Sequence, residues 1–251
     1  MYMISNKKTN ADIIAEQSFY ELFGNGVYLY NRKNLTIEAL MEEASSFCNE
    51  STNKGIRALY GITDGKAVGT IVEKMFKLYL AQKYDFDMGN SGSGVDLPDI
   101  DINTDIKVSS VRQPQSSSPY RDAKQKVFGL GYNLLLFVYQ KKDINNEQKA
   151  YLEWKDCVFI EQEYTSDFTL TFDLINAKKM GATLEDIVSI LKCKNIPGEE
   201  STLKSIANEI LEKDIKQGQI TISNALQWRL NYGRIVRYGS LCQERGVNKL
   251  I

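Results

Sequence analysis

No histidine occurs among the 251 residues. That absence excludes Ser-His-Asp and Cys-His triads, His-dependent nucleases and every metal site built on imidazole. Hydrolytic chemistry must come from carboxylates, Lys, Ser, Tyr or a hard cation such as Mg²⁺, which prefers oxygen ligands. Cysteine is scarce: Cys48, Cys157, Cys193 and Cys242 form no C-x-x-C pair and read as free thiols of a reducing compartment. With only 4 Pro and 17 Gly, the collagen-like and low-complexity classes are excluded. No apolar run approaches the ~20 residues of a membrane span. The start, MYMISNKKTNADII, lacks a signal-peptide apolar stretch, so the expected location is the cytoplasm. Charge of neither sign dominates, with 31 Lys plus Arg against 32 Asp plus Glu. That argues against a generic polyanion coat but leaves nucleic acid open, because the distribution of basic residues decides there.

What is present is enough chain to bury a substantial core, with no repeat and no linker. The first third reads helical. Asp12 to Phe23, Leu35 to Phe47 and Lys66 to Lys83 carry apolar residues at helical spacing, the last as a stripe of Val68, Ile71, Val72, Met75, Phe76 and Tyr79. A turn-rich loop, MGNSGSGVDLPD, around Gly89, Gly92 and Gly94 then changes the period. Asp99 to Ile102 and Asp105 to Ser109 alternate with period 2 and read as a strand hairpin turned at Asn103-Thr104. A short helix is expected over Tyr120 to Phe128, a buried strand over Tyr132 to Gln140 and another strand over Ala150 to Ile160. Helices follow at Leu184 to Leu191, Thr202 to Lys213 and Ser223 to Tyr238. The expected class is α/β (α+β), a central mixed β-sheet flanked by helices, in one domain over 1–251.

The densest chemical signal is Pro98-Asp99, five residues, then Asp105-Ile106-Lys107. Residues i and i+2 of a strand share a face, so Asp105 and Lys107 project together while Ile106 turns inward. A hairpin partner would bring Asp99 beside them. Two adjacent carboxylates repel unless a cation sits between them, and Mg²⁺ suits oxygen donors. Lys107 would then orient or deprotonate a water, and a phosphodiester profits most from such a site. Asp96 and Asp101 are the alternatives to Asp99. A rival reading takes Asp99-x-Asp101-x-Asn103-x-Asp105 as a calcium loop, but Thr104 stands at its glycine position and Ser110 at its glutamate position.

The segment LPDIDINTDIKVSS resembles the PD-(D/E)xK nuclease signature, with Pro98, Asp99, Asp105 and Lys107 in the motif positions. Lys66-Ala-Val-Gly69-Thr-Ile-Val-Glu73 resembles the K-x-V-G-x-x-x-E helix of the MutH-like group of Type II restriction endonucleases. The resemblance implies a restriction-endonuclease-like core over about residues 66–160, a metal site of Asp99, Asp105 and Glu73, and catalysis by these residues with Lys107. It further implies Mg²⁺ as cofactor and cleavage of double-stranded DNA leaving 5′-phosphate and 3′-hydroxyl ends. Asp105 departs from the commoner Glu and reaches one methylene less. A repair or nicking nuclease with the same site, or a non-catalytic DNA- or calcium-binding module, are the other readings, and both homodimer and monomer are open.

Two basic stretches are candidates to hold DNA. Lys107 to Lys126 carries Arg112, Arg121, Lys124 and Lys126 with the amides Gln113 and Gln115. Gln227 to Lys249 carries Arg229, Arg234, Arg237, Arg245 and Lys249 interleaved with Trp228, Tyr232 and Tyr238. Arg and Lys neutralise phosphates, amides donate to phosphates or base edges, and aromatics can stack on bases.

Overall fold

The computed structural model describes residues 8–24, 32–89, 94–224, 227–238 and 246–251. The expectations placed on Gly92, Cys242 and Arg245 lie outside these residues, as does the side chain of Tyr238. In chain order the elements are α1 (Asn10–Phe23), β1 (Lys33–Asn34), α2 (Ile37–Ser51), β2 (Gly55–Ile56), α3 (Gly65–Ala81) and β3 (Tyr84–Asp85). Then come β4 (Thr104–Ser110), β5 (Gln115–Ser118), α4 (Gln125–Phe128), β6 (Asn133–Ile144), β7 (Lys149–Ile160), α5 (Phe168–Lys179), α6 (Leu184–Cys193) and α7 (Glu200–Glu212). β8 (Thr221–Ser223), β9 (Trp228–Asn231), α8 (Gly233–Tyr238) and β10 (Val247–Lys249) follow.

The main sheet runs β10-β7-β6-β4, with β2 also pairing β7. β4 pairs parallel with β6, and β6 antiparallel with β7, so the sheet is mixed and flanked by helices as expected. A smaller antiparallel sheet runs β5-β9-β8. β6 explains its own position: from Asn133 to Tyr139 every residue is buried, as both faces of a central strand require. Leu135, Phe137 and Tyr139 join a core with α1, α2 and α3, while Leu134, Leu136 and Val138 face Trp228, Leu230 and Tyr232 in a second. A third cluster holds Leu174, Leu191, Leu203 and Ile210 of α5, α6 and α7.

The helices start where their caps dictate. Thr9 forms a reciprocal capping box with Asp12, Thr36 accepts from the Ala39 N–H, and Asp64 from the Lys66 N–H. Among the described residues no helix is long and apolar enough to cross a membrane.

Four expectations are corrected. Asp99 to Ile102 is a turn, not a strand: the Asp99 carbonyl accepts the N–H groups of Ile102 and Asn103, and Ile100 is 92% exposed. Of the helix expected over Ser223 to Tyr238 only Gly233–Tyr238 is helical, as α8; Trp228–Asn231 is strand, with Trp228, Leu230 and Tyr232 buried while Arg229 and Asn231 are exposed, a period of two. The helix expected over Tyr120 to Phe128 shrinks to the single turn of α4. α5 was not anticipated; Asp167 caps it by accepting the Leu170 N–H.

Candidate active site

β4 is the last strand of the main sheet, so one of its edges has no strand partner. Ile106 is buried against α3, and Asp105 and Lys107 project to the opposite face, as the alternation requires. Lys107 Nζ lies 2.6 Å from Asp105 Oδ2. That contact is an ion pair by distance alone, because no hydrogen bond is directed at the buried Oδ2.

The free edge is met by the preceding segment. Leu97 and Thr104 exchange both backbone hydrogen bonds, at 2.9 and 3.0 Å, which sets Asp96 opposite Asp105. Asp96 Oδ2 accepts the Ile106 N–H at 2.8 Å, and Asp96 Oδ1 lies 2.7 Å from Lys77 Nζ. The two carboxyl groups stand side by side. On the far side of Lys77, Glu73 Oε1 accepts at 2.8 Å. Glu73 and Lys77 are one turn apart on α3, so a single ammonium bridges the helix to the sheet edge. Gly69 lets that helix sit close: a Cβ there would stand 3.4 Å from the Val108 carbonyl oxygen.

Burial decides how this cluster titrates. Desolvation raises Asp105 to about 7; the neighbouring Asp96 adds to the rise, and Lys107 opposes it. Burial also works against the Asp96 charge, but Lys77, the contact with Asp105 and the Ile106 N–H outweigh it and hold this carboxyl below its ordinary range. Of the two, Asp105 is the one that takes up a proton as pH falls through about 7. Burial and the Asp96 charge push Glu73 up against the pull of Lys77. Lys107 is raised: burial lowers it, but the Asp105 carboxylate more than compensates. It stays an ammonium at neutral pH.

The cluster borders a cleft of about 1000 Å³. Glu73, Lys107, Arg112, Gln113, Gln115 and Arg229 all line it, together with Lys66, Gln140, Lys141 and Gln227. Other expected contacts lie elsewhere. Asp99 turns away and accepts the Asp87 N–H at 2.9 Å; Asp96 occupies the place assigned to it. Asp101 stays in the exposed turn. Lys124 pairs with Glu209 at 2.5 Å, Lys126 is buried with Nζ 3.2 Å from Asn224 Oδ1, and Arg234 stacks over the Phe168 ring at 3.6 Å. Arg121 lies beside the Tyr132 ring, and Arg237 is an exposed residue of α8 outside the cleft lining. Sequence reasoning missed Lys77, whose signal was its spacing of four from Glu73.

A divalent cation fits the Asp96–Asp105 pair. Both are hard oxygen donors, one buried oxygen has no directed donor, and two crowded acids retain a proton that a cation would displace. Among the described residues no three acidic side chains form a ready metal cage.

Residues 34–249 match the family model described as Type II restriction enzyme NspV. The chain belongs to this family of restriction enzymes. It is 44% identical over 213 residues to the Type II restriction enzyme NspV of Nostoc sp. (strain ATCC 29411 / PCC 7524), covering 85% of this chain and 95% of that one. No solved structure matches. The family match spans α2 through β10, so it includes the main sheet, the β5-β9-β8 sheet and every residue of the acidic cluster.

Proposed function

We propose that this restriction enzyme is a Mg²⁺-dependent site-specific deoxyribonuclease acting on double-stranded DNA in the cytoplasm. Its site would be of the PD-(D/E)xK kind, with Asp96 standing where Asp99 was expected. The observation that carries the reading is the placement of Asp96 by the Ile106 N–H, opposite Asp105 and next to a cleft that Lys107 lines. Asp96 and Asp105 would hold the cation, which supplies a Lewis acid for the phosphodiester.

The chain's own groups do the rest. Lys107 stays protonated in its ion pair, so its role is to hold a water or a phosphate oxygen and to carry positive charge where the transition state gains negative charge. Glu73 and Lys77 fix Asp96 from the helix side. Arg112, Lys66 and Lys141 place positive charge along the cleft, where a phosphate backbone would run. The test is incubation of the protein with plasmid and Mg²⁺, followed by sequencing of the product ends. One short sequence at every cut, and loss of cutting in Asp105→Asn and in chelator, is the expected result. Cutting that persists in chelator would overturn the metal assignment, and random ends would overturn site specificity.

A further inference from the structure

The small sheet has two chemically different faces. Ile222, Trp228 and Leu230 point inward and are buried in the second core. Along the other face the register pairs Gln115 with Asn231 and Ser117 with Arg229, and β8 adds Thr221 and Ser223. All six are hydrogen-bonding side chains, partly or fully exposed. Gln115, Ser117 and Arg229 line the same cleft as Lys107. Among the described residues the Gln115 amide, the Ser117 hydroxyl and the Arg229 guanidinium have no hydrogen bond or ion pair. Asn231 Oδ1 accepts the Gly233 N–H at 2.8 Å, which orients its amide and leaves the NH₂ outward.

We infer that the β5–β9 pair is the base-reading surface, entering a DNA groove with Gln115, Asn231, Ser117 and Arg229 as its specificity-determining side chains. This rests on the deoxyribonuclease reading above. The fit is geometric first. A major groove of ~12 Å admits a two-stranded ribbon. Successive same-face residues of a strand stand ~6.7 Å apart, close to two base-pair steps of ~3.4 Å. The chemistry also fits: amides pair with adenine edges and guanidinium with guanine; among the described residues the Gln115 amide and the Arg229 guanidinium are unengaged, and Asn231 keeps its NH₂ to donate. The surface is tied to the cleaving strand, because Ser109, third in the stripe after Asp105 and Lys107, accepts the Gln115 N–H at 2.9 Å. Where the groove is read, the scissile bond is thereby located.

The test begins with the cut sequence found for the wild-type protein. Cleavage of that duplex and of every duplex differing by one base is then compared for wild type, Arg229→Ala, Arg229→Lys and Asn231→Ala, with nonspecific binding measured at one salt concentration. Discrimination at one or two base positions should fall by roughly 10- to 100-fold in each variant, with nonspecific binding changed less than about threefold. Arg229→Lys keeps the charge but loses the planar fork, so it should lose discrimination like Ala. Full discrimination in Arg229→Lys, or equal loss on every duplex, would assign the face to phosphate contact and overturn the inference. Unchanged discrimination in Asn231→Ala and Arg229→Ala would overturn it as well. A wild-type protein that cuts at no defined sequence would instead overturn the site-specific reading beneath it.

Discussion

Asp96 accepts the Ile106 N–H at 2.8 Å across the free edge of β4. One hydrogen bond thus fixes a loop carboxylate to the strand that carries Asp105 and Lys107. The same side chain holds Lys77 on its other oxygen, so the helix, the loop and the sheet edge meet at one residue.

Asp96→Asn should lose cleavage by about 100-fold or more, since a metal-assisted step rests on its charge at several kcal/mol. Asp99→Asn should stay within about threefold, because its carboxylate serves the Asp87 N–H. Single-turnover rates on a plasmid check both; an inactive Asp99→Asn beside an active Asp96→Asn would reverse the assignment.

Lys107→Ala should lose cleavage and still bind DNA. It contributes one positive charge among several in the cleft, so the slope of log affinity against log salt should fall by only about one unit. A variant that cuts well and binds poorly would make Lys107 a docking residue.

Lys77→Met should destabilise the metal-free protein by about 2 kcal/mol, because it leaves two half-buried carboxylates without their shared cation. That is a drop of roughly 4–8 °C in Tm for a chain of this size. Mg²⁺ should restore more of the loss than it adds to wild type, since binding to the folded state alone stabilises it. Melting curves in chelator and in Mg²⁺ decide the matter, and an unchanged Tm in chelator would remove Lys77 from its bridging role.

Asp105 gives a pH signature of definite sign. Its folded pKa, about 7, lies above the ordinary aspartate value, so the folded state holds the proton more tightly. The stability it contributes is full below about pH 4 and is lost as pH rises through about 7. Metal-free wild type should therefore lose stability relative to Asp105→Asn between pH 5 and 8. Mg²⁺ affinity should run the other way, weakening as pH falls below about 7, because the cation competes with that proton. Parallel stability curves for the two proteins would show that Asp105 is already ionised.

Much of this site was legible from local spacing. Asp105 and Lys107 two apart on a strand needed only period counting, whereas Glu73 came from the family resemblance of its helix. Asp99 was misplaced because four alternating residues imitate a strand, while the exposed Ile100 shows that the alternation belongs to a turn. Only the pairing of Leu97 with Thr104 moves the register to Asp96. Some residues of the basic stretches lie away from the cleft for a non-local reason, while Arg112, Gln113, Gln115 and Arg229 line it. Lys124 finds Glu209 and Arg234 finds Phe168, partners 85 and 66 residues away in sequence, and no window around a lysine or arginine reveals that. Trp228 to Tyr232 carried its strand period openly, but arginines between aromatics also fit a helix.

The closure of the β4 edge governs how the protein behaves in a crowded solution. An uncovered strand edge is a template on which another chain can pair. Among the described residues the cover includes the Leu97 bridge and one carboxylate oxygen of Asp96. Asn at position 96 can still accept the Ile106 N–H, whereas Ala cannot. Two equally inactive enzymes should then part company on standing: Asp96→Asn remains dispersed, and Asp96→Ala associates through its bared edge and leaves solution.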